Sequence, residues 1–128
     1  MSYQYDNQRY NPPAPVLPIT VHVPGDSMKQ ITTDALVDTG ADIACLPSAI
    51  INALGAEPAS NCLVVGANNT QIGYKDSYFL EIEIESTKKL VEVIAMGSEV
   101  ILGRNLINEF ILQLHGLTQE LSITLSNK

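Results

Sequence analysis

The segment Tyr78–Ile84 (YFLEIEI) puts Leu80, Ile82 and Ile84 on one face of an extended chain, a period of two that suits a half-buried β-strand and not a helix. Similar short runs recur along the sequence. Val16–Val23 is a strand with Pro18 inside it, which places it at an edge or a strand start. Met28–Val37, Leu90–Ala95, Val100–Leu102, Phe110–Leu114 and Leu121–Leu125 read as further strands, and Leu63–Val65 with Gln71–Tyr74 as a hairpin tipped by Asn68-Asn69. Only Pro47–Leu54, stopped by Gly55, and Arg104–Glu109 suggest helices. Many short strands separated by turn signals predict an all-β domain with one or two short helices.

A length of 128 residues suits one domain. Residues 1–15 are polar and rich in Tyr and Pro, so they are expected to form a flexible tail, with the folded domain over 16–128. The net charge of −7 and the absence of any Lys/Arg block argue against nucleic acid and anionic membranes as partners. No apolar run is long enough to span a bilayer, and the N-terminus lacks the apolar centre of a secretory signal. Cys45 and Cys62 form no metal pattern and, with His22 and His115 far apart, imply no metal and no cofactor; the cysteines read as reduced, mostly buried thiols of a cytoplasmic protein, with a disulfide as the lesser alternative.

The segment that carries chemistry is Ala35-Leu36-Val37-Asp38-Thr39-Gly40-Ala41-Asp42. Three apolar residues deliver a carboxylate to a strand end, and Gly40 lets main chain or substrate come close. Turn N–H groups there can bond the carboxylate oxygens. Alone, Asp-Thr-Gly reads equally well as an ordinary turn between a strand and a loop. Downstream stands Val100-Ile101-Leu102-Gly103-Arg104-Asn105-Leu106, again a strand, a tight turn and a helix.

Together the two segments resemble the retropepsins, the retroviral-type aspartic proteases, over about residues 16–115. The resemblance implies a retropepsin-like acid protease domain that works as a two-fold homodimer on polypeptide substrates, without a cofactor. It implies Asp38 as the catalytic carboxylate, with Thr39 and Gly40 supporting the site. Leu36, Gly40, Ala41, Asp42 and Ile101 would bind substrate, and Asp42 would form a partly buried pair with Arg104. Gly66, Ala67 and Asn68 would lie in the flap, the hairpin that closes over substrate, although GANNT departs from the glycine-rich retroviral flap. Only one Asp-Thr-Gly is present, so the second carboxylate would come from a second chain. The alternative reading is a catalytically silent dimeric module of the same fold that binds peptides. The added strand Leu121–Leu125 is expected to serve mainly the contact between chains, the core being complete by residue 115.

Overall fold

The computed structural model describes residues 1–125. Ten strands and two helices follow in order: β1 (Ser2–Gln4), β2 (Val16–Val23), β3 (Asp26–Val37), β4 (Ala44–Leu46), α1 (Ser48–Leu54), β5 (Ser60–Val65), β6 (Gln71–Ile84), β7 (Thr87–Ala95), β8 (Ile101–Leu102), α2 (Arg104–Ile107), β9 (Phe110–His115) and β10 (Glu120–Leu125). The sheet order β2-β3-β8-β4-β7-β6-β5 is closed by a second pairing of β2 with β6. Six strands therefore curl back on themselves, and β5 extends from the free end of β6.

Alternation decides what fills the interior. Leu17, Ile19 and Val21 of β2 face Leu80, Ile82 and Ile84 of β6, and all six are at most 2% exposed. Each such burial stabilises by about 1.5–3 kcal/mol relative to an exposed side chain. Helix α1 adds Ile51 and Leu54 from one face, three residues apart. It ends at Gly55, whose φ of 69° is the left-handed cap that glycine adopts without a Cβ clash.

The strand from Gln71 runs unbroken to Ile84, although the polar Lys75-Asp76-Ser77 suggested a boundary between two strands. The reason is a change of partner. Up to Ser77 β6 pairs with β5, and from Ser77 onward with β7, so its polar stretch belongs to a hairpin that leaves the barrel.

Two expectations change at the chain ends. The N-terminal 15 residues are not a tail without structure: β1 pairs with β10, and Asp6 and Ala14 exchange backbone hydrogen bonds. Composition missed this because the ordering comes from outside the segment. Tyr3 and Tyr5 pack on the core, and the Tyr3 hydroxyl donates to Glu85 Oε2 at 2.7 Å. That contact steadies Glu85, which stands at φ 52° in the β6–β7 turn. Strand β10, in turn, packs within its own chain. Leu121 and Ile123 are 1% and 2% exposed in the single chain, so the core is not complete at residue 115.

The Tyr3 contact makes a prediction. Burial, then the hydrogen bond and charge of Glu85, push the phenol up to about 12 from 10.0. The folded chain holds this proton longer than the unfolded chain does. The stability it contributes is therefore complete below pH 10 and lost as the pH rises toward about 12. Tyr3→Phe should lower unfolding stability by about 1 kcal/mol at neutral pH and flatten its fall above pH 10, read from denaturant titrations.

Candidate active site

Strands β3 and β8 run parallel, with Leu36 beside Ile101 and Val37 beside Leu102. Their ends therefore stop at one level. Leu36 N–H donates to the Val100 carbonyl at 2.9 Å, and Asp38 N–H to the Leu102 carbonyl at 3.1 Å. Asp38 leaves the sheet at that point. Its Oδ1 accepts the Gly40 N–H at 2.9 Å, and its carbonyl accepts the Ala41 N–H at 3.2 Å, so the turn orients its own carboxylate. A Cβ at Gly40 would stand 3.2 Å from that oxygen, tighter than most side chains accept.

The turn is bolted to the second motif. Arg104 and Asn105 N–H groups donate to the Ala41 and Asp42 carbonyls at 2.8 and 3.2 Å. Arg104 Nη1 donates to the Thr39 carbonyl at 2.7 Å, and Nη2 pairs with Asp42 Oδ1. Asn105 accepts the Ala44 N–H at 3.1 Å and donates to the Glu92 carbonyl at 2.8 Å. The glycine of the second motif is fixed by this packing: a Cβ at Gly103 would fall 2.4 Å from the Ile43 backbone. The role of Arg104 is thus to clamp the turn that bears Asp38, through backbone as much as through charge.

One part of the expectation for that pair needs correction. The Asp42 side chain is 86% exposed and that of Arg104 is 44% exposed, so no buried carboxylate is stranded when the arginine is removed. An ion pair this open is worth at most about 1 kcal/mol in the protomer.

Asp38, Gly40, Ala41, Asp42 and Ile101 line one cleft of about 470 Å³. Gly66 closes it from the β5–β6 hairpin, where its N–H donates to the Thr70 carbonyl at 2.7 Å. Asn68 and Asn69 turn the tip in left-handed conformations, with Ala67 at its start, and Asn68 is exposed outside the cleft lining. Thr39 is exposed beside the cleft. Leu36 lies in an adjoining cavity of about 210 Å³, with Ile50 and Val100.

Sequence reasoning missed the rest of the cleft wall: Leu63, Val64 and Val65 from β5, Ile43 and Cys45 beside the turn, and Ile94 and Met96 at the end of β7. Leu63 and Val65 are the exposed residues of an alternating strand, a signal that a β-face awaits a ligand. Among the described residues no group of three or more His, Cys, Asp or Glu side chains is placed to hold a metal, and both cysteines are free thiols.

Cys45 reports on Asp38. Burial, and secondly the nearby Asp38 charge, push its thiol up. In a Cys62→Ser background, Asp38→Asn should therefore raise the thiolate fraction and speed alkylation of Cys45 at a fixed mildly alkaline pH. An equal or slower rate would separate the two side chains.

A closed six-stranded barrel, a carboxylate-bearing turn where two parallel strands end, and an overhanging hairpin define the retropepsin-like acid protease fold. The sequence pattern of the retroviral aspartyl protease family matches residues 12–115, and the chain belongs to that family. Among solved structures, the EIAV protease in complex with the inhibitor HBY-793 is similar with a TM-score of 0.58 at 19% identity, over 80% of this chain and 90% of that one. The foamy viral protease–reverse transcriptase in complex with double-stranded DNA matches with a TM-score of 0.55 at 22% identity, over 77% of this chain. The same viral protein with an RNA/DNA hybrid gives 0.53 at 22% identity, over 74%. These two matches span 16% and 12% of the viral chain. No curated protein matches the sequence.

Proposed function

We propose that the protein is an aspartic endopeptidase whose active site is completed by a second copy of the chain. The observation that carries this reading is the Asp38 turn, held by Gly40 and clamped by Arg104, which lines a cleft of about 470 Å³. The protomer has one such turn. The corresponding strand end in its second half, Ile101-Leu102-Gly103-Arg104, offers no carboxylate. A second chain supplies the partner Asp38.

Two carboxylates about 3 Å apart share one proton, as is general for aspartic proteases. The ionised one takes a proton from a water molecule held between them as the oxygen attacks the peptide carbonyl carbon. The protonated one gives its proton to the carbonyl oxygen. As the C–N bond breaks, the leaving amine takes up the proton that the first carboxylate had received, and one hydroxyl of the gem-diol returns its proton to the second carboxylate, which leaves a carboxylic acid and restores the shared proton of the pair. Gly40, Ala41 and Asp42 offer main chain and charge along the cleft, and Leu63, Val65 and Ile101 offer apolar contact to substrate side chains. The β5–β6 hairpin acts as the flap, and Thr39 holds the two turns to each other.

Incubation with a mixed pool of unstructured peptides, read by mass spectrometry, tests the reading. Endoproteolytic cuts flanked by apolar residues are expected, unaffected by chelators. A pool left intact, with peptides retained on the protein, would instead support a silent binding module.

A further inference from the structure

Beside the cleft lies a second cavity, of about 390 Å³, between the root of the β5–β6 hairpin and helix α1. The two spaces are neighbours. Met96 lines the cleft and Ala95 the cavity, and Leu63 of the cleft wall stands opposite Tyr74, which lines the cavity. Opposed residues of an antiparallel pair share a face, so Leu63 with Tyr74 and Asn61 with Asp76 lie on one side of the hairpin. Tyr78 follows on that side, two residues after Asp76. Lys75 also borders the cavity, but it pairs with Cys62, so alternation turns its ammonium to the opposite side. From α1, Ser48 and Asn52 complete the wall, one helical turn apart.

We infer that this cavity binds the guanidinium of an arginine in the substrate, at a distance from the bond to be cut. This rests on the reading of the cleft as a peptide channel and names a class of substrate: polypeptides with apolar residues at the cut and an arginine farther along the chain.

The choice of occupant follows from what the wall offers. Asn61 Nδ2 donates to Asp76 Oδ1 at 3.1 Å, and Oδ2 has no hydrogen bond among the described residues. Tyr78 is buried, and after burial the charges of Asp76 and then Glu57 push its phenol up, so two carboxylates act on that hydroxyl. Neither carboxylate is in an ion pair among the described residues. Tyr74 presents an exposed ring beside them. A guanidinium suits this set: it stacks on an aromatic face, gives several N–H donors to carboxylate, hydroxyl and amide oxygens, and is weakly hydrated. A neutral side chain would leave Asp76 unanswered, and an acidic one would be repelled. The hairpin also sets the spacing. Val65 and Leu63 in the cleft and Asn61 in the cavity are alternate residues of one strand. An extended peptide lying along β5 advances at the same rise, so the arginine falls about four residues from the side chain against Val65. A two-fold dimer presents the cavity at both ends of the cleft.

Affinity for uncut peptides tests the cavity without using activity. The full chain carrying Asp38→Asn is titrated into fluorescein-labelled peptides with an apolar centre. Each peptide carries one arginine, or its uncharged isostere citrulline, at a different position. Arginine about four residues from the centre should bind about tenfold tighter than citrulline there, the combined worth of an exposed charge pair and a ring contact. The preference should vanish on adding Asp76→Asn, which keeps the shape but not the charge, and shrink on adding Tyr74→Ala. Asp26→Asn, which removes the same charge at the start of β3, should leave it unchanged. A preference equal at all positions would be the general attraction of a chain of net charge −7. That result, no preference, no binding, or a preference that survives Asp76→Asn would overturn the inference. Wild-type cleavage of these peptides without regard to arginine would leave the protease standing and remove the cavity from it. Arginine-dependent binding with no cleavage by the wild type would keep the cavity and defeat the protease reading.

Discussion

Asp38→Asn is expected to lower peptide hydrolysis by about 10²–10⁴-fold or more, the range lost when a general acid–base group is removed, while the fold survives. The two halves of this expectation have separate physical origins. Asparagine is nearly isosteric with aspartate, and its Oδ1 can still accept the Gly40 N–H that now reaches Asp38 at 2.9 Å. The turn is also held by Arg104 and Asn105 through the Ala41 and Asp42 carbonyls, none of which involve the carboxylate. Stability should therefore change by less than about 1 kcal/mol. The amide, however, cannot take a proton from water. Cleavage rates beside a thermal unfolding curve separate the two effects. Retained activity in a pure preparation would remove Asp38 from the chemistry, and a large loss of stability would make the variant uninformative about catalysis.

Truncation after Gly116 is expected to unfold the protomer itself, which is a stronger effect than loss of association. The cut removes β10, among the described residues the only strand partner of β1 and the only one of β9. It also removes Leu121 and Ile123, both buried in the single-chain core. Deleting one such aliphatic side chain costs about 2–5 kcal/mol, and a domain has only about 5–15 kcal/mol in total. Two lost side chains together with two lost strand pairings consume that margin. Circular dichroism and thermal unfolding of the truncated chain should show no cooperative transition at room temperature and above. A truncated chain that melts cooperatively near the full-length temperature would show that β10 contributes little to the protomer. A milder form of the same test is Leu121→Ala, expected to cost about 2–5 kcal/mol without abolishing folding.

The β10 case illustrates where the sequence is legible and where it stops. Alternation of Leu121, Ile123 and Leu125 with polar residues announces a strand with one buried face. It does not say which surface does the burying, and here that surface is the chain's own core. The N-terminal segment failed for a related reason. Its composition is polar, yet two tyrosines and a backbone ladder supplied by β10 are enough to place it. Both errors share one contact between distant parts of the chain, the pairing of β1 with β10, such as Ser2 with Ser122.

The Asp38 turn and the Gly103-Arg104-Asn105 segment were legible because the two motifs together resemble a known family and because each makes stringent demands on its residues. A glycine is needed where a Cβ would fall 2.4 Å from the Ile43 backbone, and an arginine must reach the Thr39 carbonyl and the Asp42 carboxylate. Few sequences satisfy such demands by chance. The cleft wall is different. Ile43, Cys45, Ile94 and Met96 line it because β4 and β7 pass beneath the turn, and any apolar residue of suitable volume would have looked the same in the sequence. The exposure of Asp42 was also invisible, since a carboxylate–arginine pair can be predicted from two motifs without revealing how much solvent surrounds it.

The central claim is that one chain provides half of an active site. Its most direct test is peptide hydrolysis measured across a dilution series, with sedimentation of the same samples. The expected result is a specific activity per chain that falls in step with the dimer fraction and vanishes in the monomer. Constant specific activity in samples that sediment as monomers would contradict it, because a single Asp38 would then be sufficient.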